Sequence, residues 1–504
     1  MATKNYYFDS CLRLSSKRWM PFSLVNLALL TACGTPLPHE RPALDVPAAY
    51  KQGVQGSAVW QTAQPQDSVP SAWWTLFADP ALNALQERAA SGNQNVALAV
   101  ARLRAARAAL DSAGAAGLPS LGATASSTRS RSGTNAESSA QARTRNSQAL
   151  GLNASWELDL WGRLSGGVDA ARASVEASAD DLAAMRLSVQ ATVAQTYFAL
   201  RAAEAQTLLL DDTLAAYERS WQLTRNRQRA GVASAADVAQ AEAQYKSTQV
   251  QRLEAQTSRA QLEHALAALT GQAPAALNLP ATAALPAPPA VPAQLPSRLL
   301  ERRPDIAAAE RRVAAANAQI GVAQAAFFPA VTLSGAAGYR GTELANLLNA
   351  PNLFWSLGPA LAVSLLDGGA RSAALESARA AHDQTVASYR QTVLTALQEV
   401  EDNLAAATAL EREQQLQTDA VAAAQRALDV VSNQYRAGTV GYLNVLSAQT
   451  TVLAARRSLI DVRNRRLAAV NALLKNVAGP WDGAQPEGAG TGSDSTTQRR
   501  APLK

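Results

Sequence analysis

Cysteine, histidine and aromatic side chains are scarce in this chain: its 504 residues hold two Cys, three His and only 5% Phe, Trp and Tyr. Two thiols cannot staple a fold of this length. Cys11, Cys33, His39, His264 and His382 lie far apart in sequence and lack the ligand spacing of a zinc site, so no metal is expected. Nucleotide-binding and hydrolytic signatures are missing too: there is no Gly-x-x-x-x-Gly-Lys-Ser/Thr, His-Glu-x-x-His, Cys-x-x-Cys or Gly-x-Ser-x-Gly. The acidic pairs Asp180–Asp181 and Asp211–Asp212 fall in helical stretches and read as solvated faces, so no enzyme is expected. Charge of one sign is also limited. The net charge is +6, half of it from residues 1–32 (Lys4, Arg13, Lys17 and Arg18 against Asp9), which is no footprint for nucleic acid.

What is present begins at the N-terminus. Basic Arg13, Lys17 and Arg18 precede a mostly apolar run from Met20 to Leu30, too short to span a bilayer and typical of a secretory signal. The run Leu30-Thr31-Ala32-Cys33-Gly34 follows, and it resembles the bacterial lipobox, in which the Cys is acylated and the chain is cut before it. Residues 1–32 are thus expected to be a lipoprotein signal peptide, and Cys33 the site of N-acyl and diacylglycerol attachment. No other cofactor is expected. Gly34 stands where Asp would favour the inner membrane, which points to the outer membrane.

The rest of the chain resembles itself. Arg229-Ala230-Gly231 with Asp237 and Val238 recurs as Arg436-Ala437-Gly438 with Asn444 and Val445, and Val96, Arg102 and Pro119 recur as Ile306, Arg312 and Pro329. A period this long indicates a duplicated plan rather than a solenoid. The expected organisation is a lipidated linker at 33–70, a first repeat at 71–271, a Pro-rich linker at 272–297, a second repeat at 298–479 and a disordered tail at 480–504. Seven prolines from Pro274 to Pro296 argue against helix in the linker.

Within each repeat the periodicity predicts a helix (81–115 and 303–326), a β-hairpin, and two very long helices meeting at the Arg-Ala-Gly turn. Ala170–Arg229 contains neither Pro nor Gly, and Ser372–Arg436 is a second such rod. Ala on several faces of these rods suits close packing against more than one neighbour, as in a helical barrel.

Strands are expected at 119–130, 147–160, 329–340 and 357–366. Leu150, Leu152, Ala154, Trp156 and Leu158 alternate with Gly151, Asn153, Ser155, Glu157 and Asp159, the two-residue rhythm of a strand with lipid on one side and water on the other. Asn153, Glu157 and Asp159 are accordingly the candidate lumen-facing residues. Phe354 and Trp355 at the loop side, with Phe327 and Phe328 at the other, are candidates for interfacial girdles. Four strands cannot close a barrel, so a membrane-spanning chain of this kind must oligomerise.

Taken together, Trp73-Trp74, Phe77–Pro80, Trp156–Arg163, Glu301–Ile306, Ala318–Gln324, Phe327–Pro329, Leu366–Gly369 and the two Arg-Ala-Gly turns resemble the outer-membrane factor family of TolC-type channels, in its lipoprotein branch. The resemblance covers about residues 60 to 480 and implies an α+β membrane protein. In it, a long α-helical periplasmic barrel joins a transmembrane β-barrel shared between protomers, with four strands and two structural repeats per chain. It also implies a homotrimer, an equatorial belt built partly by the linker and the C-terminal segment, outer-membrane lipid around the strands, a periplasmic adaptor protein, and an inner-membrane transporter of the resistance-nodulation-division type.

By the same resemblance Arg229, Ala230, Gly231, Val232, Ala437, Gly438 and Thr439 form the periplasmic tip where the adaptor docks. Asp237, Tyr435, Arg436 and Asn444 match the tip gate, with Arg229 and Arg436 as candidate partners for Tyr435 and Asp237. Asn444 and Ser447 replace carboxylates of some relatives, which weakens an acidic ring, and Val440 replaces a basic residue there. The function implied is a passive exit channel for drugs or other small solutes. The alternatives are a type I protein-secretion channel and a lipid-anchored periplasmic scaffold without a pore.

Overall fold

A computed structural model describes residues 42–43, 60–62, 72–131, 144–282, 285–289, 291–293 and 303–477. The signal run, Cys33, most of the expected N-terminal linker, part of the Pro-rich linker and the 480–504 tail lie outside these residues.

The elements run β1 (Trp60–Thr62), α1 (Pro80–Gly92), α2 (Gln94–Ala115), β2 (Ser120–Arg131), β3 (Thr144–Leu158), α3 (Arg163–Arg229), α4 (Ala235–Leu269), β4 (Val291–Ala293), α5 (Pro304–Ala325), β5 (Ala330–Gly341), β6 (Leu353–Ala362), α6 (Ala370–Arg436) and α7 (Tyr442–Val477). Helices α3 and α6 each have 67 residues, so each is about 100 Å long at ~1.5 Å per residue. None of the described helices is long and apolar enough to cross a membrane. The described residues divide into two compact units, one drawn from 110–171 and 315–382, the other from 42–109, 172–314 and 383–477.

The first unit holds a four-stranded antiparallel sheet of order β2-β3-β5-β6. Its register aligns whole rows of like side chains. Leu121, Ala154, Gly335 and Leu357 form one row, and Ala125, Leu150, Tyr339 and Leu353 another, while Ser120, Ser155, Ser334 and Gly358 line up on the opposite face. Slipping any strand by one residue would exchange the faces. Strand β6 starts and ends four residues earlier than expected, so Phe354 and Trp355 are strand residues and Val363 and Leu365 are not. Helix α3 starts at Arg163 rather than Ala170 because Asp159 accepts hydrogen bonds from the backbone N–H groups of Leu164 (3.0 Å) and Ser165 (2.7 Å). Gly166 then permits close approach: a Cβ there would come within 3.2 Å of Val322 Cγ2.

The second unit is helical with a continuous apolar core. Trp73, Leu82, Leu85, Val193, Phe198, Leu266, Ile306, Ala396, Leu473 and Leu474 are all buried in it. The expected helix 81–115 is broken at Asn93, whose side chain accepts from the N–H groups of Asn95 and Val96 and donates to the Leu269 carbonyl. Asp79 caps α1 and also accepts a 2.6 Å bond from the Tyr197 hydroxyl.

The described parts of the linker hold one short turn and one short strand. Pro274 opens a three-residue 3-10 turn, a first-turn position where its missing N–H costs nothing, and β4 pairs in parallel with β1. A buried charge cluster pins the start of the linker. Glu204 accepts from Arg201 (2.7 Å), from Arg259 (3.1 Å) and from the Thr282 N–H (3.0 Å), while Glu263 accepts from the Leu279 N–H (2.8 Å). Breaking one partner of such a cluster would leave an uncompensated buried charge, at a cost of about 3–5 kcal/mol.

Candidate functional site

The two Arg-Ala-Gly turns have the geometry their glycines require. Gly231 has φ +76° and Gly438 has φ +78°, and neither has a neighbour within 4 Å of an added Cβ. Backbone conformation, not space, selects Gly here. At the first turn Val232 N–H donates to Arg227 O (2.8 Å) and Gly231 N–H to Gln228 O (2.9 Å). At the second, Thr439 N–H donates to Gln434 O and Gly438 N–H to Tyr435 O, each at 3.0 Å. Both are Schellman closures that satisfy the last carbonyls of α3 and α6. Ala230, Val232 and Ala437 are exposed at these turns.

The gate residues separate into two groups. Asp237 sits in a capping box: the Ser234 hydroxyl accepts from the Asp237 N–H, and the Asp237 carboxylate accepts from the Ser234 N–H (3.0 Å). Tyr435 instead joins a buried cluster with Tyr442, Ala241 and Val445, flanked by Trp221, Leu428 and Val440. The Tyr435 and Tyr442 rings meet edge to face at 5.8 Å. Burial pushes the Tyr442 hydroxyl up from its ordinary pKa. The Tyr435 hydroxyl and the Trp221 indole nitrogen are buried with no partner among the described residues.

The expected partners Arg229 and Arg436 are not those that bind Tyr435. Arg227 is: its guanidinium lies 4.6 Å from the Tyr435 ring centroid and donates to the Tyr435 carbonyl at 3.1 Å. Arg436 donates to Asn433 of its own helix, and Asp237 is engaged by Ser234. Helical spacing accounts for the correction, since Arg227, two residues before Arg229, lies on a different side of α3. Asn444 is exposed and its N–H bonds back to the Gly441 carbonyl.

On the sheet, Asn153 and Glu157 do lie on the polar face. Asn153 donates to the Thr124 hydroxyl across the strand pair (3.2 Å), and Glu157 pairs with Arg163 (2.7 Å). Asp159 is a correction: it falls beyond β3, where it caps α3. Burial raises its pKa, but the N–H groups of Leu164 and Ser165 outweigh that and hold it below the usual carboxylate range. Phe354 is another, because strand alternation puts it on the face opposite Trp355, with its ring 3.6 Å from the Cβ position of Gly151 and beneath the Arg340 guanidinium. At the other end of the strands Trp161 stacks on Phe328 at 4.9 Å and donates to the Pro329 carbonyl. The apolar face leaves Leu121, Leu152, Trp355, Leu357 and Leu361 exposed, Trp355 at 77%. Such a face is foreign to a water-soluble sheet.

Arg227, Tyr442, Trp221 and Arg340 were not singled out from sequence. The tyrosines on either side of the second Arg-Ala-Gly were a usable signal, since the first turn has none.

Comparison with known proteins matches the chain to the outer membrane efflux protein family over residues 85–272 and 295–479. The chain is 33% identical to the probable efflux pump outer membrane protein TtgC of Pseudomonas putida, over 92% of this chain and 96% of that one. It is 31% identical to the outer membrane protein OprJ of Pseudomonas aeruginosa, over 91% and 95% respectively. Among solved structures, the outer-membrane channel OprN superposes with a TM-score of 0.80 at 31% identity, over 88% of this chain and 100% of that one.

Proposed function

The chain belongs to the outer membrane efflux protein family and acts in efflux at the outer membrane of a Gram-negative cell, and from that premise we propose that it is the passive exit channel of a tripartite pump. Three copies, each giving four strands, close one shared transmembrane barrel. The long helices, arranged in two repeats of one plan, line a periplasmic tunnel. An inner-membrane transporter of the resistance-nodulation-division type delivers the solute. A periplasmic adaptor docks at Arg229–Val232 and Ala437–Thr439 and binds the open tip more tightly than the closed one, which shifts the population towards open. The lipid on Cys33 anchors the chain.

One observation carries this reading: a sheet with one apolar and one polar face whose outer strands, β2 and β6, each have a free edge among the described residues. Unpaired edges cannot remain in hydrocarbon, where each unsatisfied backbone group costs several kcal/mol. Copies of the same sheet supply the missing partners. At the tip, Arg227 on Tyr435 and Ser220 to Tyr442 join one hairpin to the other through side-chain packing alone, which favours a movable gate.

The test is the oligomeric state of protein extracted from outer membranes. A detergent-resistant trimer that heat converts to single chains is expected, and a monomer that stays in the membrane would overturn the shared barrel. Cys33→Ser should lose fatty-acid labelling yet still insert. Label retained on that variant would contradict the anchor.

A further inference from the structure

The polar face of the sheet is almost free of charge. Along β2 it shows Ser120, Gly122, Thr124, Ser126, Thr128 and Ser130, and along β6 only Phe354, Ser356, Gly358, Ala360 and Ala362. Its charged residues are Arg145 and Glu157 on β3 and Arg340 on β5. Glu157, near the helix side, is neutralised by a two-pronged pair with Arg163 at 3.0 and 2.7 Å. Arg145 and Arg340, at the loop side, have no such partner among the described residues. Arg340 is exposed and held over the face of Phe354, 4.9 Å from the ring centroid, a contact that positions the guanidinium without cancelling its charge. Arg145 is exposed on the stretch of β3 that extends beyond its pairing with β5.

The surrounding sequence adds to this imbalance. The described residues at the loop-side end of the sheet, 129–131, 144–145 and 340–352, contain Arg129, Arg131, Arg145 and Arg340 against Glu343, a net charge of +3. The whole chain after residue 32 also carries only +3. Alternation divides the strand arginines, with Arg129 and Arg131 on the apolar face and Arg145 and Arg340 on the polar one.

We propose that the outer mouth of the pore is a basic vestibule that favours small anionic solutes, carboxylated or phosphorylated, and that Arg145 and Arg340 set this preference. The inference rests on the channel reading above, in which the polar face lines the lumen and the hairpin ends face the exterior. Three copies then place six uncompensated guanidinium groups around one opening, the arrangement by which arginine rings select anions. Low-dielectric barrel walls concentrate such a field. The charge favours exit of anions delivered from within and raises their local concentration at the mouth.

Full-length protein in planar bilayers under a KCl gradient provides the test, comparing the wild type with the double variant Arg145→Gln/Arg340→Gln. The reversal potential of the double variant should shift towards cations, with the chloride-to-potassium permeability ratio falling at least about twofold and the shift growing as salt is lowered. Inorganic triphosphate added on the loop side should reduce current through the wild type and lose that effect in the variant. An unchanged reversal potential in a variant that still conducts would overturn the vestibule while leaving the channel intact. Absence of any current through both the inserted wild type and the leak variant Tyr442→Ala would remove the channel reading itself, and the vestibule with it.

Discussion

The two helical tips share the Arg-Ala-Gly motif and the same Schellman closure, yet different forces hold them. At the first, the position of Tyr435 is taken by exposed Gln228, and that of Tyr442 by exposed Ala235. Order there comes from within, through the capping box of Ser234 and Asp237. At the second tip Gly441, which has no side chain to cap with, precedes α7, and Tyr435 and Tyr442 are 8% and 2% exposed. That tip depends on side chains of the other hairpin: Arg227 on Tyr435, and Ser220 to the Tyr442 hydroxyl at 3.4 Å. Local hydrogen bonds persist wherever a hairpin goes, whereas tertiary packing can be exchanged for other packing. On the channel reading proposed above, the second tip is therefore the element that an adaptor would release.

Tyr442→Ala should produce the largest effect. Removing a buried aromatic costs about 3–5 kcal/mol, and here the loss falls on contacts between hairpins, so resting leak through the channel should rise while trimers persist. A tip as tight as wild type would end the asymmetry argued above. Gly438→Pro comes next. Pro fixes φ near −65° where the chain needs +78°, so efflux measured by drug susceptibility should fall without loss of trimers. Normal efflux would count against the docking role of this turn.

Ser234→Ala sharpens the contrast from the other side. Loss of the cap should cost about 1 kcal/mol, seen as faster amide exchange in the first turn of α4 and no change in leak. A leak equal to that of Tyr442→Ala would make the two tips equivalent.

The smallest effect is expected at Asp180, away from both tips, and it separates general stability from gating. Burial, partly offset by Arg311 and reinforced by Glu176, Asp181 and Glu310, pushes its pKa from 3.8 up to about 6. A raised carboxylate pKa means that the fold prefers the protonated form. Its contribution is complete below about pH 4 and is lost as pH rises through 6. Asp180→Asn should therefore raise the thermal midpoint slightly at pH 8, leave it unchanged at pH 4, and not alter leak.

Much of the fold was legible because its signals are periodic. The strand alternation at Leu150–Leu158 and the uninterrupted run Ala170–Arg229 each report a single local geometry, and both elements formed. Elements set by partners were less visible. The break at Asn93 depends on the distant Leu269 carbonyl, the early start of α3 on Asp159 beyond the end of β3, and the short β1–β4 pair on residues far apart in the chain. At the site the glycines were readable, since a positive φ leaves its mark in residue type. The pairing of Arg227 with Tyr435 was not, because three arginines lie within Arg225–Arg229 and only the packing of two hairpins decides which one meets the ring.

On the channel reading, this chain builds a pore that its second tip closes. Single-channel current through the purified trimer in a planar bilayer tests it most directly. Discrete conductance steps should appear and become larger or more frequent in Tyr442→Ala, whereas membranes that contain both proteins yet show no steps with either would rule out a pore gated at this tip.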